Sequence, residues 1–212
     1  MKVITLVTQK GGSGKTTLCV SLAVAAQQAG HAVCILEMDK QATASQWAQA
    51  RQGEAPEVAQ VPPDRIEVAL QRVQAGGYDY VFVDTPGVES PGTHAAMRLA
   101  NLWLIPCRPT PADLRGIQPT LAAIHRLEKP FAFILNQTPP KSYRIRESAE
   151  GLKVLGLLAD VNVVMRNDHQ DAMGTGQGVT EFNPEGPAAD EIRKLWAWIE
   201  NKTKDLPHVK AA

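Results

Sequence analysis

The segment that most constrains the fold of this chain is the run QKGGSGKTT at residues 9–17. It follows a short apolar run at residues 3–8, which is typical of a buried strand, and it leads into a helix predicted over residues 15–29. Small residues between a strand and a helix let backbone N–H groups turn inward around phosphate oxygens, and the helix N-terminus adds its dipole. The segment therefore predicts a phosphate-binding loop, with a glycine-rich turn that only caps a helix as the alternative.

Two lysines in this loop have different predicted roles. Lys15 is expected to contact the β- and γ-phosphates of a nucleotide, and the Thr16 hydroxyl is expected to bind Mg²⁺. The usual phosphate-loop template begins with glycine, whereas this chain has Lys10 ahead of its loop glycines. We expect Lys10 to reach across a two-fold interface to a partner's nucleotide, as an arginine finger does; a solvated surface lysine is the alternative. The predicted nucleotide-contacting residues of the loop are Lys10, Gly11, Gly12, Ser13, Gly14, Lys15, Thr16 and Thr17.

Apolar runs alternate with helical stretches along the rest of the chain. Runs typical of strands buried on both faces recur at residues 32–38, 80–83, 102–105 and 131–135, and helices are predicted at 66–75, 116–127 and 187–205. This alternation predicts a doubly wound α/β fold, in which helices flank a mostly parallel sheet.

Three further expectations concern segments with weaker patterns. Residues 54–64, which hold three prolines, are predicted to form a loop or a loosely flanked strand. Residues 163–167 are expected to form the last strand and the loop beneath a nucleotide base. Residues 1–205 are predicted to form a single domain, followed by a flexible tail at 206–212.

Two carboxylates are expected to lie at the same edge of the sheet. Asp84 ends the apolar run at 80–83, a position from which a carboxylate binds Mg²⁺ through water. Asp39 follows the run at 32–38, and open α/β sheets place their ligands at the carboxyl ends of strands. With Thr16 these two residues make up the predicted metal site, although Asp39 could instead only cap a loop.

The run KGGSGKTT, with its lysine directly ahead of the glycines, resembles the deviant phosphate loop of the ParA/MinD family of dimerising ATPases. The start of the chain at its first strand is similar to the small plasmid-partition ParA proteins typified by ParF, which lack an N-terminal DNA-binding extension. The resemblance implies a homodimer around ATP and Mg²⁺, with weak hydrolysis that a partner stimulates. It also implies that Asp39 orients or activates the attacking water. Asn136 is expected to recognise adenine, with a turn-forming asparagine as the alternative.

The chain departs from the family pattern around Asp39. Where relatives read Asp-x-Asp-Pro-Gln, this chain has Glu37, Met38, Asp39, Lys40 and Gln41. Glu37 keeps the charge of the first aspartate but is longer, and Lys40 replaces the proline. These differences leave open a nucleotide-binding module that does not turn over ATP.

The charge balance limits how the chain could bind nucleic acid. Lys and Arg number 22, as do Asp and Glu, so any DNA contact must come from a local patch. The resemblance implies non-specific DNA binding by the ATP-bound dimer, which joins two weak patches, and a small centromere-binding adaptor of the ParB or ParG type. A solvated helix face is the alternative for the basic stretch. The candidate DNA-binding residues are Lys141, Arg144, Arg146 and Arg166.

Other functions of the same superfamily remain as alternatives. The main one is a MinD-like ATPase that positions a membrane or protein-assembly cargo, although no basic amphipathic terminal helix indicates a stable membrane anchor. An iron–sulfur carrier would need a Cys-x-x-Cys pair, which Cys19, Cys34 and Cys107 do not form. A small-molecule kinase or synthetase would need additional substrate-binding segments, and none is recognisable. We expect a cytoplasmic, nucleoid-associated protein whose cargo the sequence does not specify.

Overall fold

The computed structural model describes residues 1–207 and contains one six-stranded parallel sheet. The strands are β1 (Lys2–Leu6), β2 (Val33–Glu37), β3 (Glu57–Gln60), β4 (Tyr80–Asp84), β5 (Leu102–Cys107) and β6 (Phe131–Leu135). Their order in the sheet is β3-β2-β4-β1-β5-β6. Strand β1 therefore lies in the interior of the sheet, between the strand that ends in Asp84 and the strand that ends in Cys107.

Helices follow most strands and cover both faces of the sheet. They are α1 (Lys15–Gln28), α2 (Thr43–Ala50), α3 (Ile66–Ala75), α4 (Pro91–Leu99), α5 (Pro111–Arg115), α6 (Gln118–Leu127), α7 (Tyr143–Leu155), α8 (Asn167–Gly174), α9 (Val179–Phe182) and α10 (Pro187–Thr203), with a short 3-10 helix at Pro63–Arg65. Among residues 1–207, no helix has the length and apolar character needed to cross a bilayer.

The alternation of side chains along the strands divides the core into layers on the two faces. Tyr80 and Phe82 of β4 pack towards α1 and α10, whereas Val81 and Val83 pack towards α3 and α4. On the β5 and β6 side, α6 and α7 cover the same face as α3 and α4. Because both faces of the sheet are buried, the central strands read as continuous apolar runs in the sequence.

The structure confirms the predicted doubly wound α/β fold. Of the two alternatives given for residues 54–64, a loop or a loosely flanked strand, it contains the strand β3, whereas the strand expected at 163–167 is wrong. The outer edge of β6 does bond to this region, since Val163 N–H donates to the Leu135 carbonyl at 2.9 Å. Outside the named strands, however, the pairing consists of isolated bridges at Leu158 and Val164, and α8 begins at Asn167.

The end of the described chain packs against the start of the sheet. Leu206 contacts the core layer of α1 and α10, and the Lys2 ammonium donates to the Leu206 carbonyl. Residues 208–212, which make up most of the predicted tail, lie outside the described residues. The domain boundary at 205 stays a prediction.

Candidate nucleotide-binding site

The predicted phosphate loop connects β1 to α1 and depends on glycine for its shape. Gly12 and Gly14 have left-handed φ values of +71° and +83°, and Gly14 directly precedes the first residue of α1. A Cβ on Gly14 would lie 2.6 Å from the Asn136 Nδ2 atom, so a side chain is excluded by space as well as by conformation. The loop therefore leaves the N-terminus of α1 open to an anion.

Lys15 is held inside this loop. Its Nζ donates to the Thr8 carbonyl at 3.4 Å, and the residue is buried. Burial lowers the pKa of Lys15, while the charges of Asp84 and Asp39 act in the opposite direction. The ammonium group thus lies among two carboxylates and the open backbone of the loop, where a polyphosphate would complete its charge environment.

Thr16 and Asp84 form the core of the predicted metal site. The Thr16 hydroxyl donates to Asp84 Oδ2 at 2.6 Å, while Asp84 Oδ1 is buried and has no hydrogen-bond partner within the described chain. Burial raises the pKa of Asp84 to about 7, although the Thr16 hydrogen bond and the Lys15 charge oppose this rise. One hydroxyl and one unsatisfied carboxylate oxygen suit Mg²⁺, because this ion keeps several waters and is completed by substrate phosphates.

Residues 1–207 contain no group of three or more His, Cys, Asp or Glu side chains that could hold a metal ion. This part of the chain therefore offers no closed metal cage of the kind found in structural zinc sites. A magnesium ion held mainly by phosphate and water is consistent with this sparse set of ligands.

Asp39 and Glu37 lie at the end of β2 but face different partners. Asp39 is half-buried, and its Oδ1 accepts a hydrogen bond from the Gln41 backbone N–H at 3.0 Å. Glu37 is fully buried, and its carboxylate accepts hydrogen bonds from the first turn of α2. The sequence brings Asp39 to the sheet edge predicted for it, whereas Glu37 is engaged by the protein itself.

Lys10 pairs with a carboxylate of its own chain. Its Nζ lies 3.1 Å from Asp113 Oδ2, and Arg108 Nε lies 3.1 Å from the other oxygen of the same carboxylate. Burial would raise the pKa of Asp113, but hydrogen bonds from Thr110, Lys10 and Arg108 outweigh it and lower that pKa. The Lys10 side chain remains 33% exposed.

The role of Asp113 as the partner of Lys10 was not predicted from the sequence. A local signal was present, because Thr110 and Asp113 have the spacing of a helix cap. The Asp113 N–H donates to Thr110 Oγ1 at 3.1 Å at the start of α5. The partner of Lys10 could not be read from this signal, since it depends on how β5 and the phosphate loop lie in the sheet.

A cavity lies between the start of α1 and residues 163–170. It has a volume of about 360 Å³, and its lining includes Gly14, Thr17, Asn136, Arg166 and His169. This is the position expected for a nucleoside attached to phosphates in the loop. A larger groove of about 750 Å³ between β3 and α3 contains no residue of the phosphate loop, so the smaller cavity is the candidate site for a nucleoside.

Asn136 contacts the phosphate loop directly. Its Nδ2 donates to the Ser13 carbonyl at 2.8 Å, and the residue is buried. One amide hydrogen therefore supports the loop, and the rest of the amide lies at the wall of the cavity. Recognition of adenine by Asn136 stays a prediction.

Three of the four candidate DNA-binding residues, Lys141, Arg144 and Arg146, lie at or just before the start of α7, whereas Arg166 lies in another segment. Arg166 lines the nucleoside cavity and pairs with Glu191 at 2.7 Å. Lys141 precedes α7, whereas Arg144 and Arg146 lie in its first turns. Side chains two residues apart in a helix point about 200° apart, so these two arginines do not share a face. Arg144 lies beside Pro109 and Pro111, and Arg146 is 3.6 Å from Glu150.

Comparisons with known proteins agree with this geometry. Residues 4–173 match the family model described as the CobQ/CobB/MinD/ParA nucleotide binding domain. The maintenance of carboxysome distribution protein A of Gloeobacter kilaueensis is 33% identical over 162 residues, which cover 73% of this chain and 70% of that protein. The protein ParA of Rhizobium radiobacter is 33% identical over 117 residues, covering 53% of this chain and 51% of that protein.

Solved structures show the same fold. The septum site-determining protein MinD from Pyrococcus horikoshii, complexed with Mg-ADP, has a TM-score of 0.80 at 17% identity and covers 96% of this chain and 97% of its own. Together, the sheet order, the phosphate loop and the adjoining cavity define a phosphate-loop nucleotide-binding domain. This chain belongs to the CobQ/CobB/MinD/ParA family of nucleotide-binding domains.

Proposed function

We propose that this protein is a ParA-type partition ATPase that dimerises around ATP, binds DNA without sequence preference and hydrolyses ATP to ADP and phosphate. The observation that carries the proposal is the joint placement of Lys15, Thr16 and Asp84 around one glycine loop, with a second loop lysine, Lys10, at its surface. The relative named ParA supports the partition role, and the family membership supports nucleotide binding.

Different residues of the chain would bind the phosphates, hold the metal ion and orient the attacking water. Lys15 and the N-terminus of α1 bind and orient the β- and γ-phosphates. Thr16 and Asp84 would hold Mg²⁺, which supplies positive charge opposite the phosphate oxygens. Asp39 lies at the carboxyl end of β2, where its carboxylate can accept a hydrogen bond from the attacking water. Closing this site with a second subunit would exclude bulk water from it.

Lys10 supplies the link between nucleotide and dimer in this proposal. In the single chain it pairs with Asp113, and to act on a partner's nucleotide it must leave that carboxylate. A cation that meets phosphate oxygens in a dry interface interacts far more strongly than it does in water. Loss of the γ-phosphate would remove that contact and return Lys10 to Asp113. In the proposed cycle the ATP-bound dimer associates with the nucleoid, and a small adaptor protein binds the dimer and stimulates hydrolysis.

Turnover and oligomeric state test this proposal together. The wild-type protein should hydrolyse ATP slowly and form a dimer with ATP but not with ADP. Asp39→Ala should bind ATP and form a stable dimer without turnover, because the residue acts on water and not on phosphate binding. Wild-type turnover by Asp39→Ala would show that the aspartate is structural. Absence of ATP binding by the wild type would refute the assignment as a whole.

DNA binding is tested separately, since it depends on other residues. We expect ATP-dependent binding that lacks sequence preference and weakens steeply with salt, because backbone phosphates provide the affinity. Replacing Arg144 and Arg146 by Glu should weaken this binding without changing nucleotide affinity, because both lie outside the nucleotide site. Equal DNA binding with ATP, with ADP and without nucleotide would contradict a nucleotide switch.

A second candidate is a positioning ATPase for a protein assembly. It is favoured by the relative named for carboxysome distribution, which covers more of this chain than the ParA relative does. Both candidates share the ATP-dependent dimer and differ in the adaptor that binds it. The ATP-bound dimer of Asp39→Ala could be used to capture its binding partners. Identification of the captured protein would distinguish a DNA-binding adaptor from a component of a protein assembly.

A further inference from the structure

The glutamate at the end of β2 has a set of contacts that nucleotide binding does not explain. Glu37 is fully buried and pairs in register with Asp84 of β4. Its Oε1 accepts from the Ala44 N–H at 2.7 Å, and its Oε2 accepts from the N–H and hydroxyl of Ser45 at 2.9 and 2.5 Å. Both carboxylate oxygens are thus engaged by the first turn of α2.

Helix α2 needs this remote carboxylate because it has no cap of its own. Ala42, which precedes the helix, has a left-handed φ of 54° and no side-chain oxygen. The first N–H groups of a helix have no partner within the helix and require an acceptor from elsewhere. Hydrogen bonds from N–H groups to an ionised carboxylate are among the stronger ones, so Glu37 fixes the start of α2 firmly to the end of β2.

The segment closed by this contact is residues 38–42, which carry Asp39. Backbone hydrogen bonds also restrict the movement of this segment. Met38 N–H donates to the Asp84 carbonyl at 2.9 Å, and Ala42 N–H donates to the Asp39 carbonyl at 3.1 Å. Any movement of the first turn of α2 is therefore transmitted to Asp39 through only a few bonds.

We propose that Glu37 is a positioning residue that holds Asp39 in place by clamping α2 to β2, and that it is not a metal contact. The proposal rests on the proposed ATPase function for its kinetic consequence only. The length of the side chain is part of the argument, because an aspartate at this position is one methylene shorter and would not span to both Ala44 and Ser45. The clamp thus depends on the glutamate that this chain has in place of the aspartate usual in the resembling family.

Kinetics of three variants test the proposal. Glu37→Gln keeps the length but replaces one acceptor oxygen by an NH₂ group, and Glu37→Asp keeps the charge but shortens the reach. For both we expect kcat to fall by about 10- to 100-fold, the scale expected when a reacting group is displaced by about 1 Å. KM for ATP and the half-saturating Mg²⁺ concentration should stay unchanged. Ser45→Ala, which leaves both backbone donors on the carboxylate, should retain most of the wild-type kcat.

Several outcomes would overturn the proposal. A rise in the Mg²⁺ requirement of Glu37→Gln would identify Glu37 as a metal contact. Wild-type kcat in both Glu37 variants, measured per folded and ATP-binding protein, would remove the positioning role. A fall in kcat that merely tracks the loss of folded protein would reduce the contact to a stability effect.

Hydrogen exchange of the nucleotide-free protein gives a readout that needs no turnover. Amides in residues 38–45 should exchange faster in Glu37→Gln than in the wild type, while those of the phosphate loop at 9–17 should not change. Unchanged exchange at 38–45 would refute the clamp. If the wild type binds ATP without hydrolysing it, the proposed function fails on hydrolysis, and the exchange experiment still decides whether Glu37 holds the Asp39 segment.

Discussion

The ion pair between Lys10 and Asp113 predicts a cost of dimerisation that can be measured. Asp113→Asn keeps the size of the side chain and an acceptor oxygen for the start of α5, but it removes the charge that holds Lys10 at 3.1 Å. If Lys10 must leave this carboxylate to reach a partner's phosphates, the variant should form the ATP dimer more readily than the wild type does.

The size of the effect follows from the surroundings of the pair. Because the Lys10 side chain is one-third exposed, each pair is worth about 1 kcal/mol, near the upper value for solvent-accessible ion pairs. Formation of a two-fold dimer breaks two such pairs, so the free energy of dimerisation of the wild type should be less favourable by about 2 kcal/mol. This corresponds to a dimer dissociation constant about 30-fold higher than that of Asp113→Asn.

Sedimentation velocity with a non-hydrolysable ATP analogue measures this difference. Arg108→Gln is the matched control, since it removes the other cation on Asp113 and leaves Lys10 as its remaining ion-pair partner in the described chain. Its dimer should be no tighter than that of the wild type. An unchanged or weaker dimer in Asp113→Asn, with normal ATP affinity, would refute the reasoning. If Lys10→Ala also dimerises as the wild type does, the role of Lys10 across the interface is wrong.

Three further predictions concern the phosphate loop and its metal site. Lys15→Ala should lose nearly all ATP affinity in isothermal titration, because the cation that neutralises phosphate charge is gone; normal affinity would disprove the loop assignment. Burial raises the pKa of Asp84 from 3.8 to about 7, so its contribution to stability is present below pH 4 and is lost as the pH rises to about 7. Thermal unfolding of the metal-free protein should show this loss, and Asp84→Asn should remove it. Gly14→Ala should weaken nucleotide binding, because its Cβ would displace Asn136 from the Ser13 carbonyl and its φ is left-handed.

The strands of the fold were predictable because both faces of the sheet are buried. Such strands are largely apolar, so β6 is visible in the sequence as an uninterrupted apolar run and β2 as one that ends in a charged residue, Glu37. Helix α7 was predicted only as one alternative for the basic stretch, because it covers only the β6 side of the sheet and few of its residues are buried. The strand expected at 163–167 failed for a related reason. The apolar residues there pack against β6 without forming a continuous ladder. A paired strand and an irregular buried segment have similar apolar sequences, and only their hydrogen bonding in three dimensions distinguishes them.

The parts of the site and the grouping of Thr16 with Asp84 were predictable, but the pairings of Lys10 with Asp113 and of Asn136 with Ser13 were not. The parallel sheet explains both facts. Asp84, Asp113 and Asn136 lie at or after the carboxyl ends of β4, β5 and β6, which places them at the edge where the phosphate loop leaves β1. Each contacts a different residue of the loop, namely Thr16, Lys10 and Ser13. Strand order alone brings these groups to one edge. Which carboxylate or amide meets which loop atom is decided by distances of a few ångströms, and local sequence patterns carry no information at that scale. The loop is therefore built by its neighbours in the sheet as much as by its own glycines.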